Sequence, residues 1–566
     1  MESRLNPRLA FLVLIFALVV YSANFFAFNR ATAPTYDEGV HIAAGYRILQ
    51  CGNYAINPEH PPLAKALAAI PIRNQPIAPL AENCEAGGFN KEQSVSVGEQ
   101  ILSGPGGDGI VHAARRPLLV FPLLLIVVIF FSVREWFGPL AACIAVLLVA
   151  FEPVLTACGA LVTTDMPITA AMFTAMACTY FFLQRPGTLT TSLLGLSFAL
   201  ALTTKHSGII VPVMSLCALL LARAITRANV SYRTLFVGWS IAGAIAYVLL
   251  WASYGFRFYA APALHQQAFQ IPYRPLLIFA LQHHLFPESY LTGFADVLNN
   301  STGLFLLGHF FPTGVWFYYP VAMSIKTTLP LLLLVIAALF FSRELWNRNR
   351  QALIIIWVPV ISYLAIASTS RYNVGVRHAL PVYPFLIALA SGAAVTLMRK
   401  WRTGTILVAC LLLWQATAFM ASRTSLLAYA NEAYGGPSHL YEHMLVDWGQ
   451  AAYHVTDWSN RNPQTPCILI WYAPTFPATH CTFTDNTSSG RLELEPPFVP
   501  QNFRGTVLIS DAAYHDPELP YILKTFPMKP SGLLDGSVLV FSGDFDLSPI
   551  AANQHRLRAM LSLIHI

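Results

Sequence analysis

The chain has 566 residues, of which 55% are hydrophobic and only 11% are charged, with a net charge of +6. Soluble domains carry about 25% charged residues, so this composition excludes an ordinary soluble enzyme. Disordered chains and nucleic-acid-binding proteins need dense charge and are excluded on the same ground. With a mean hydropathy of +0.53, the chain is predicted to be an integral membrane protein without a nucleic-acid partner.

Membrane spans are the first predicted elements along the chain. A helix needs roughly 20 apolar residues to cross a bilayer, and about eleven runs approach that length. They lie near residues 9–29, 117–133, 139–157, 166–184, 189–204, 208–222, 236–253, 327–342, 352–369, 379–398 and 404–421. The first run is too long for the apolar part of a signal peptide, so we interpret it as a retained helix.

The direction of the spans follows from Lys and Arg in the short loops, which stay in the cytoplasm. With the N-terminus inside and eleven spans, the inside loops contain a consistent set of basic residues. These are Arg134, Arg185, Arg223, Arg227, Arg233, Arg343, Arg348, Arg350, Arg399, Lys400 and Arg402. The sequence therefore predicts a membrane domain over 1–421, with outer loops at 30–116 and 254–326, and an extracytoplasmic domain over 422–566.

The tail after residue 421 changes in pattern. Residues 438–460 contain apolar side chains at helical spacing. Short β-type runs follow at 467–473, 505–510 and 537–542, separated by turn residues. This predicts a small α/β domain.

Four cysteines are predicted to lie outside, namely Cys51 and Cys84 in the first loop and Cys467 and Cys481 in the tail. An oxidising compartment permits one local disulfide in each segment. Spacing alone does not decide whether either bond forms.

The first outer loop contains two helical patterns, 37–50 and 61–72, that are too short to span and are predicted to lie along the membrane surface. A rigid polar corner, 57–62, separates them. The Gly-rich segment 84–116 is predicted to be an irregular loop over a binding site.

Three carboxylates are predicted to reach the outer face. Asp37 and Glu38 follow the first span, and Asp165 opens the fourth, between Thr164 and Pro167. In a functional interpretation Asp37 is a general base that accepts a proton from a hydroxyl. In the alternative, these acids complement helix dipoles, and Thr164 and Pro167 are ordinary helix-start residues.

Two further acids have open interpretations. Glu59 and His60 lie at the polar corner and, with His41, could bind a divalent metal ion, but their spacing matches no dedicated motif. They could equally be solvated loop residues. Glu152 falls inside the third span, where an ionisable residue is a functional candidate by default, although it could simply bond to a neighbouring helix.

Basic residues also collect on the outer side, where the direction of the chain does not require them. They are Lys205, His206, Lys326, Arg371, Arg377 and His378. A phosphate group at this boundary is one explanation. Snorkelling or pairing with the outer acids is the other.

Several motifs together resemble a known family. They are Tyr36-Asp37-Glu38, Pro61-Pro62-Leu63, Thr164-Asp165-Met166-Pro167, Arg377 to Pro384, Asn431 to Pro437, and Asp447 to Gln450. In this order they resemble the GT-C membrane glycosyltransferases, in particular the bacterial branch of the protein O-mannosyltransferase superfamily, which includes the aminoarabinose transferase of lipid A. Each motif alone is weak, and the ordered set is specific.

The resemblance implies a fold of many membrane helices with an outer domain, in the cytoplasmic membrane of a bacterium. It implies transfer of one sugar from a polyprenyl phosphate, with inversion, to a protein, lipid or glycan acceptor outside the membrane. Asp37 matches the general base and Asp165 an acid that positions the acceptor or base; Glu38 completes the predicted catalytic set. We expect the phosphate to bind some of the outer cations: Lys205, Lys326, Arg371, Arg377 and His378. A metal ion is variable in the family, so metal use by Glu59 and His60 stays open.

Two other classes of function compete with this hypothesis. A transporter or flippase for a lipid-linked substrate would carry internal repeats and midplane sites, and the sequence has no such pairing between its halves. A receptor or scaffold that displays the tail would tolerate replacement of the outer charges.

Overall fold

The computed structural model describes residues 6–77, 91–104, 106–261, 274–444, 447–471, 473, 475–485, 499–516 and 520–552. Helices account for most of these residues, and a small mixed sheet lies towards the C-terminus. The predicted fold class, a helical membrane protein with a small α/β domain at its end, is confirmed. Cys84 lies outside the described residues, so the predicted Cys51–Cys84 bond stays a prediction.

Within this described part, eight helices are long and apolar enough to cross a membrane. They are Pro7–Ala31, Gly107–Phe137, Asp165–Gln184, His206–Thr226, Tyr232–Ser253, Arg350–Thr369, Val376–Lys400 and Gly404–Ala421. Two bent pairs, Pro139–Ala150 with Pro153–Gly159 and Leu329–Phe340 with Ser342–Arg348, raise the number to ten if each is one span. The eleventh predicted run forms the shorter apolar helix Thr188–Thr204.

The basic loops meet at one end of the bundle. Arg348 donates to the carbonyl of Phe137, and Gln184 bonds to Gln351. Since the helix that ends at Gln184 begins at Asp165, Asp165 lies at the opposite end. The alternation of the spans predicted from charge is therefore consistent with the helix contacts.

The third run is bent by 62° where Pro153 follows Ala150. Glu152 lies at this break and is fully buried. Its Oε2 accepts hydrogen bonds from Thr328 at 3.0 Å and from Gln415 at 2.9 Å. This contact fits the interpretation of Glu152 as an acid that bonds to neighbouring helices.

The first outer loop is mainly helical. Helix Tyr36–Cys51 packs against helices Pro62–Ala69 and Lys91–Ser103. The approach is close, because a Cβ added at Gly45 would lie 2.0 Å from the Lys65 carbonyl oxygen. The prediction of an irregular segment over 84–116 was wrong for its described part, since residues 91–103 and 107–115 are helical.

The second outer loop also contains regular structure. Its described helices are Tyr232–Ser253 at the entry, then Pro275–Gln282, Glu288–Asn299 and Tyr318–Lys326. A hairpin that the sequence did not predict joins β1 (Leu304–Leu306) to β2 (His309–Phe311).

The C-terminal sheet has five strands in the order β4-β3-β5-β7-β6. They are β3 (Cys467–Trp471), β4 (Thr482–Asp485), β5 (Asn502–Ser510), β6 (Gly532–Leu534) and β7 (Val538–Asp546). The three predicted runs correspond to β3, β5 and β7, of which β3 pairs in parallel with β4 and β5. A disulfide joins Cys467 and Cys481.

The connection to this sheet differs from the single helical stretch suggested by residues 438–460. The chain forms 3₁₀ turns at Glu432–Tyr434 and Pro437–Glu442, and an α-helix only from Ala452 to Arg461. The short helices Asp511–Tyr514 and Pro520–Thr525 complete the domain. Because residues 426–444 contribute to the same apolar core as the spans, the division at residue 421 stays a prediction.

A fully buried ion pair fixes the start of helix Tyr36–Cys51. The Glu38 carboxylate accepts hydrogen bonds from Arg115 at 2.6 and 2.8 Å. It also accepts from the backbone N–H groups of Thr35 at 2.8 Å and Val162 at 2.9 Å. Three separate parts of the chain are thereby tied to the turn that carries Asp37.

Glu38→Gln is expected to lower the free energy of unfolding by about 3–5 kcal/mol, because it leaves the Arg115 guanidinium buried without a counter-charge. The matched control is Glu344→Gln, which removes a pair with Lys400 whose side chains are 39% and 45% exposed; exposed pairs contribute about 0–1 kcal/mol. Thermal unfolding of both variants in lipid nanodiscs measures the difference. Equal losses would contradict a structural role for Glu38.

Candidate active site

A cavity of about 460 Å³ opens between the first outer loop and the outer ends of the spans. Most of the site residues predicted from the sequence line it: Asp37, Glu59, His60, Asp165, Lys205, Arg377 and His378. Tyr372, Asp296, Asn299 and Asn300 also line it and were not predicted. Distant parts of the chain therefore meet in one pocket.

The charged groups form a continuous chain across the cavity wall. Arg377 donates through Nη1 to Asp37 in an ion pair. Its Nε lies 4.0 Å from an oxygen of Asp165, whose other oxygen accepts from Lys205 Nζ at 2.6 Å. Acids and bases thus alternate in the order Asp37, Arg377, Asp165, Lys205, so each charge has a partner of opposite sign.

Local structure explains how these side chains reach the cavity. Asp37 lies in the first helical turn, after the Thr35 cap. Asp165 is the first residue of its helix, where the positive end of the helix dipole favours a carboxylate. Lys205 lies at the junction between two helices. Arg377 follows Gly375, whose φ of +79° favours glycine.

Trp448 from the C-terminal segment covers the same ion pair. Its ring centroid is 4.5 Å from the Arg377 guanidinium carbon, within range of a cation–π contact. Its carbonyl accepts a hydrogen bond from Tyr36 N–H at 2.9 Å. One residue therefore contacts both segments that supply the pair, through its side chain and its backbone.

The protonation of Asp37 is set by two opposing effects. Burial by itself raises the pKa of the carboxyl, but the positive charge of Arg377 and the neighbouring His41 offset it, so the net pKa is lowered. The Asp37 side chain is still 35% exposed, towards the cavity. It is therefore an ionised carboxylate at neutral pH that a ligand can reach.

The polar corner at residues 57–62 is held by Lys65. Its Nζ donates to the carbonyls of Asn57 at 2.7 Å and His60 at 2.5 Å, and burial lowers its pKa to about 7. The His60 ring bonds to Thr164 Oγ1 at 3.0 Å. The Thr164 hydroxyl thus connects the corner to the Asp165 helix, and it makes no cap hydrogen bond to its own helix.

Two neutral imidazoles stand beside the acids. The rings of His41 and His60 are 4.9 Å apart. Burial lowers the pKa of His41 to about 4, and burial also lowers the pKa of His60 well below its usual range. Neither ring adds charge to the cavity at neutral pH.

Metal binding by Glu59 and His60 stays a prediction. Across the described part of the chain, the group of three or more potential ligands whose atoms lie within 4.8 Å of one another is Cys467, His480 and Cys481. Its two sulfurs are joined in a disulfide. Glu59 and His60 both face the cavity without belonging to such a cluster.

Three predicted residues lie apart from the cavity lining. Glu38 points into the core and bonds to Arg115. Lys326 is buried and donates to the Leu427 carbonyl at 2.6 Å. Arg371 is exposed, and its carbonyl accepts from two loop N–H groups. The geometry does not bring Lys326 or Arg371 to the alternating charges.

Sequence reasoning missed two residues that organise this region. Arg115 had a detectable signal, because it is a basic residue in an outer loop where charge is not required for orientation. Trp448 was noted only within an amphipathic pattern and a family motif. No sequence pattern predicts that an indole from the tail contacts an arginine 71 positions earlier in the chain (448 − 377).

The comparison with protein families matches part of this region. Residues 109–251 match the family described as dolichyl-phosphate-mannose-protein mannosyltransferase. The predicted resemblance to this superfamily is confirmed. The match supports a membrane glycosyltransferase of the class that uses polyprenyl-phosphate-linked sugars. No curated protein matches the chain in sequence.

Solved structures of similar overall fold include two membrane transferases. ArnT from Cupriavidus metallidurans, bound to undecaprenyl phosphate, is 16% identical with a TM-score of 0.47, over 95% of this chain and 98% of that chain. The oligosaccharyltransferase AglB from Archaeoglobus fulgidus, in complex with an inhibitory peptide and a dolichol-phosphate, is 11% identical with a TM-score of 0.48. That match covers 82% of this chain and 62% of AglB.

Trp448→Ala is expected to lower kcat/KM for sugar transfer roughly 2–30-fold, the equivalent of a cation–π contact of about 0.5–2 kcal/mol. Because Arg377 lowers the pKa of Asp37, loosening Arg377 should also move the acidic limb of the pH–rate profile to higher pH. Trp448→Phe, which retains a ring, should restore most of both properties. The control is Trp316→Ala, a side chain that is 72% exposed. A loss of rate with an unchanged acidic limb would contradict positioning through Arg377.

Proposed function

We propose that this protein transfers a single sugar from a polyprenyl phosphate to an acceptor hydroxyl, with inversion at the anomeric carbon. We further propose that the reaction takes place at the extracytoplasmic face of a bacterial cytoplasmic membrane. The observation that carries the proposal is the alternation of Asp37, Arg377, Asp165 and Lys205 along one cavity wall. Such a cavity offers both a base and cations at the membrane boundary.

The donor phosphate is proposed to bind Lys205 and Arg377, with His378 nearby. Both cations already face carboxylates, so a phosphate would share them with Asp165 and Asp37 rather than enter an uncompensated positive site. As the bond to the sugar breaks, negative charge builds on the phosphate oxygen. Cations held at that point stabilise the transition state more than the ground state.

Asp37 is proposed to be the general base. It takes the proton of the acceptor hydroxyl while the hydroxyl oxygen forms a bond to the anomeric carbon. The bond between that carbon and the phosphate oxygen breaks, and its electron pair leaves with the polyprenyl phosphate. The protonated Asp37 then returns the proton to solvent. Attack and departure on opposite sides of the carbon give inversion.

The ion pair also explains how the base is held before the donor binds. A carboxylate paired with a guanidinium is a weak base, because the positive charge lowers its pKa. A bound phosphate would draw Arg377 towards itself and so weaken this pair. In this proposal the donor raises the basicity of Asp37 when it arrives, which couples donor binding to proton removal.

The remaining predicted residues receive supporting roles. We assign Glu38 to positioning, since its carboxylate is saturated by Arg115 and two backbone N–H groups. Asp165 is proposed to orient Lys205 and Arg377. Lys326 and Arg371 are left out of the phosphate site because neither lines the cavity. The acceptor partner is a protein, lipid or glycan hydroxyl.

Asp37→Asn is expected to lower the transfer rate roughly 10²–10⁴-fold, the usual contribution of a general base. The assay is release of radiolabelled sugar from a panel of polyprenyl-phosphate sugars by the reconstituted full chain. Asp457→Asn, an exposed carboxylate in the C-terminal domain, is the matched control. Undiminished transfer by Asp37→Asn would remove the assigned base, and lipid translocation without sugar transfer would favour the transporter alternative.

Arg377→Gln is expected to shift the acidic limb of kcat/KM to higher pH. The reaction needs ionised Asp37, so activity is present above the folded pKa of this carboxyl and is lost as the pH falls through it. Removing the positive charge that lowers this pKa therefore moves the loss upward. Arg371→Gln, a neighbouring exposed arginine, should leave the limb unchanged. An acidic limb that does not respond to Arg377 would disconnect it from Asp37.

A further inference from the structure

A second cavity, of about 300 Å³, lies on the other side of the catalytic ion pair. It shares four residues with the first cavity: Tyr36, Asp37, Tyr372 and Arg377. The Asp37–Arg377 pair is therefore part of a wall between two chambers. A group in either chamber can reach the Asp37 carboxylate.

The two chambers differ in chemistry. The first contains Lys205 and the polar corner, whereas the described lining of the second contains no Lys or Arg other than Arg377. Rings dominate the second chamber: Tyr36, Phe305, Tyr318, Tyr372 and Trp448. Its other polar groups include Thr302, Asn373 and Asp447. Aromatic walls with a few convergent polar groups are typical of small-molecule sites.

Three parts of the chain build this chamber. The hairpin contributes Phe305, the segment before the tenth span contributes Tyr372, and the C-terminal segment contributes Asp447 and Trp448. Hairpin and tail are joined by a bridge between Leu306 and Met444. The C-terminal segment thus supplies part of a chamber that opens onto the base.

We propose that the second chamber binds the acceptor, and that the acceptor group is a neutral, hydroxyl-rich moiety such as a sugar residue of a glycan or glycolipid. This inference rests on the proposed function and adds the acceptor class to it. The non-polar face of a sugar ring packs against aromatic side chains, while its hydroxyls bond to polar groups between them. One hydroxyl would then lie against Asp37, opposite the donor.

Charge argues against a phosphorylated acceptor. The chamber offers a single guanidinium, which is already paired with Asp37. An anionic acceptor would also meet the carboxyl group of Asp447 in the wall. A neutral acceptor avoids this repulsion, and the donor phosphate keeps the chamber that contains Lys205.

Phe305 provides the sharpest test, because it lines the second chamber and not the first. Phe305→Ala is expected to raise KM for the acceptor roughly 2–12-fold, the usual effect of one aromatic contact, and to leave KM for the donor unchanged. Phe305→Tyr keeps the ring and should keep both values. The control is Phe310→Ala, whose side chain is 42% exposed on the same hairpin and lines neither chamber.

The assay uses the reconstituted full chain, a panel of polyprenyl-phosphate sugars, and three acceptor sets: neutral methyl mono- and disaccharides, their phosphates, and serine or threonine peptides. Preferential transfer to the neutral saccharides, with the Phe305 effect confined to acceptor KM, supports the proposal. Transfer that prefers phosphates or peptides overturns it, as does a Phe305 effect on donor KM alone. No consumption of any donor by the unmodified protein would instead contradict the proposed function itself.

Discussion

The site depends on mutual neutralisation of charge in a place where water is scarce. Taking an ion out of water costs several kcal/mol unless a counter-ion and hydrogen bonds compensate for it. Asp37, Arg377, Asp165 and Lys205 compensate one another in sequence, so no member can be buried without its neighbours. This constraint ties the first outer loop to three separate helix ends. The cavity is therefore a consequence of the same pairing that holds its walls together.

Much of the membrane part was predictable because the bilayer limits what a sequence can do. Every spanning segment must be a long apolar helix, and each predicted run is helical in the structure. The candidate site was predictable for a related reason. Ionisable residues on the outer side are not needed for orientation, so Asp37, Asp165, Lys205 and Arg377 were noticeable individually. Their meeting in one cavity was an expectation that geometry alone could examine.

The remainder depends on contacts between distant residues. The segment before the second span looked irregular because of its glycines, yet Gly98 lies in a helix that packs closely against Gly39. Tertiary packing overrode local propensity there. Trp448 and Arg115 act through partners far away in the chain. The role of such a residue is defined by its partner, and local periodicity contains no information about that partner.

Asp37 and Glu38 show how far a motif can be interpreted without a structure. Two adjacent carboxylates look equivalent in the sequence, but successive residues on a helix point about 100° apart. Asp37 consequently faces the cavity, and Glu38 faces the core, where Arg115 and two N–H groups occupy its oxygens. The saturated carboxylate fixes the helical turn, which in turn aims the accessible one at the cavity. Adjacent acids in this motif therefore divide the work, and the rigidity supplied by Glu38 is what allows Asp37 to hold a defined position beside Arg377.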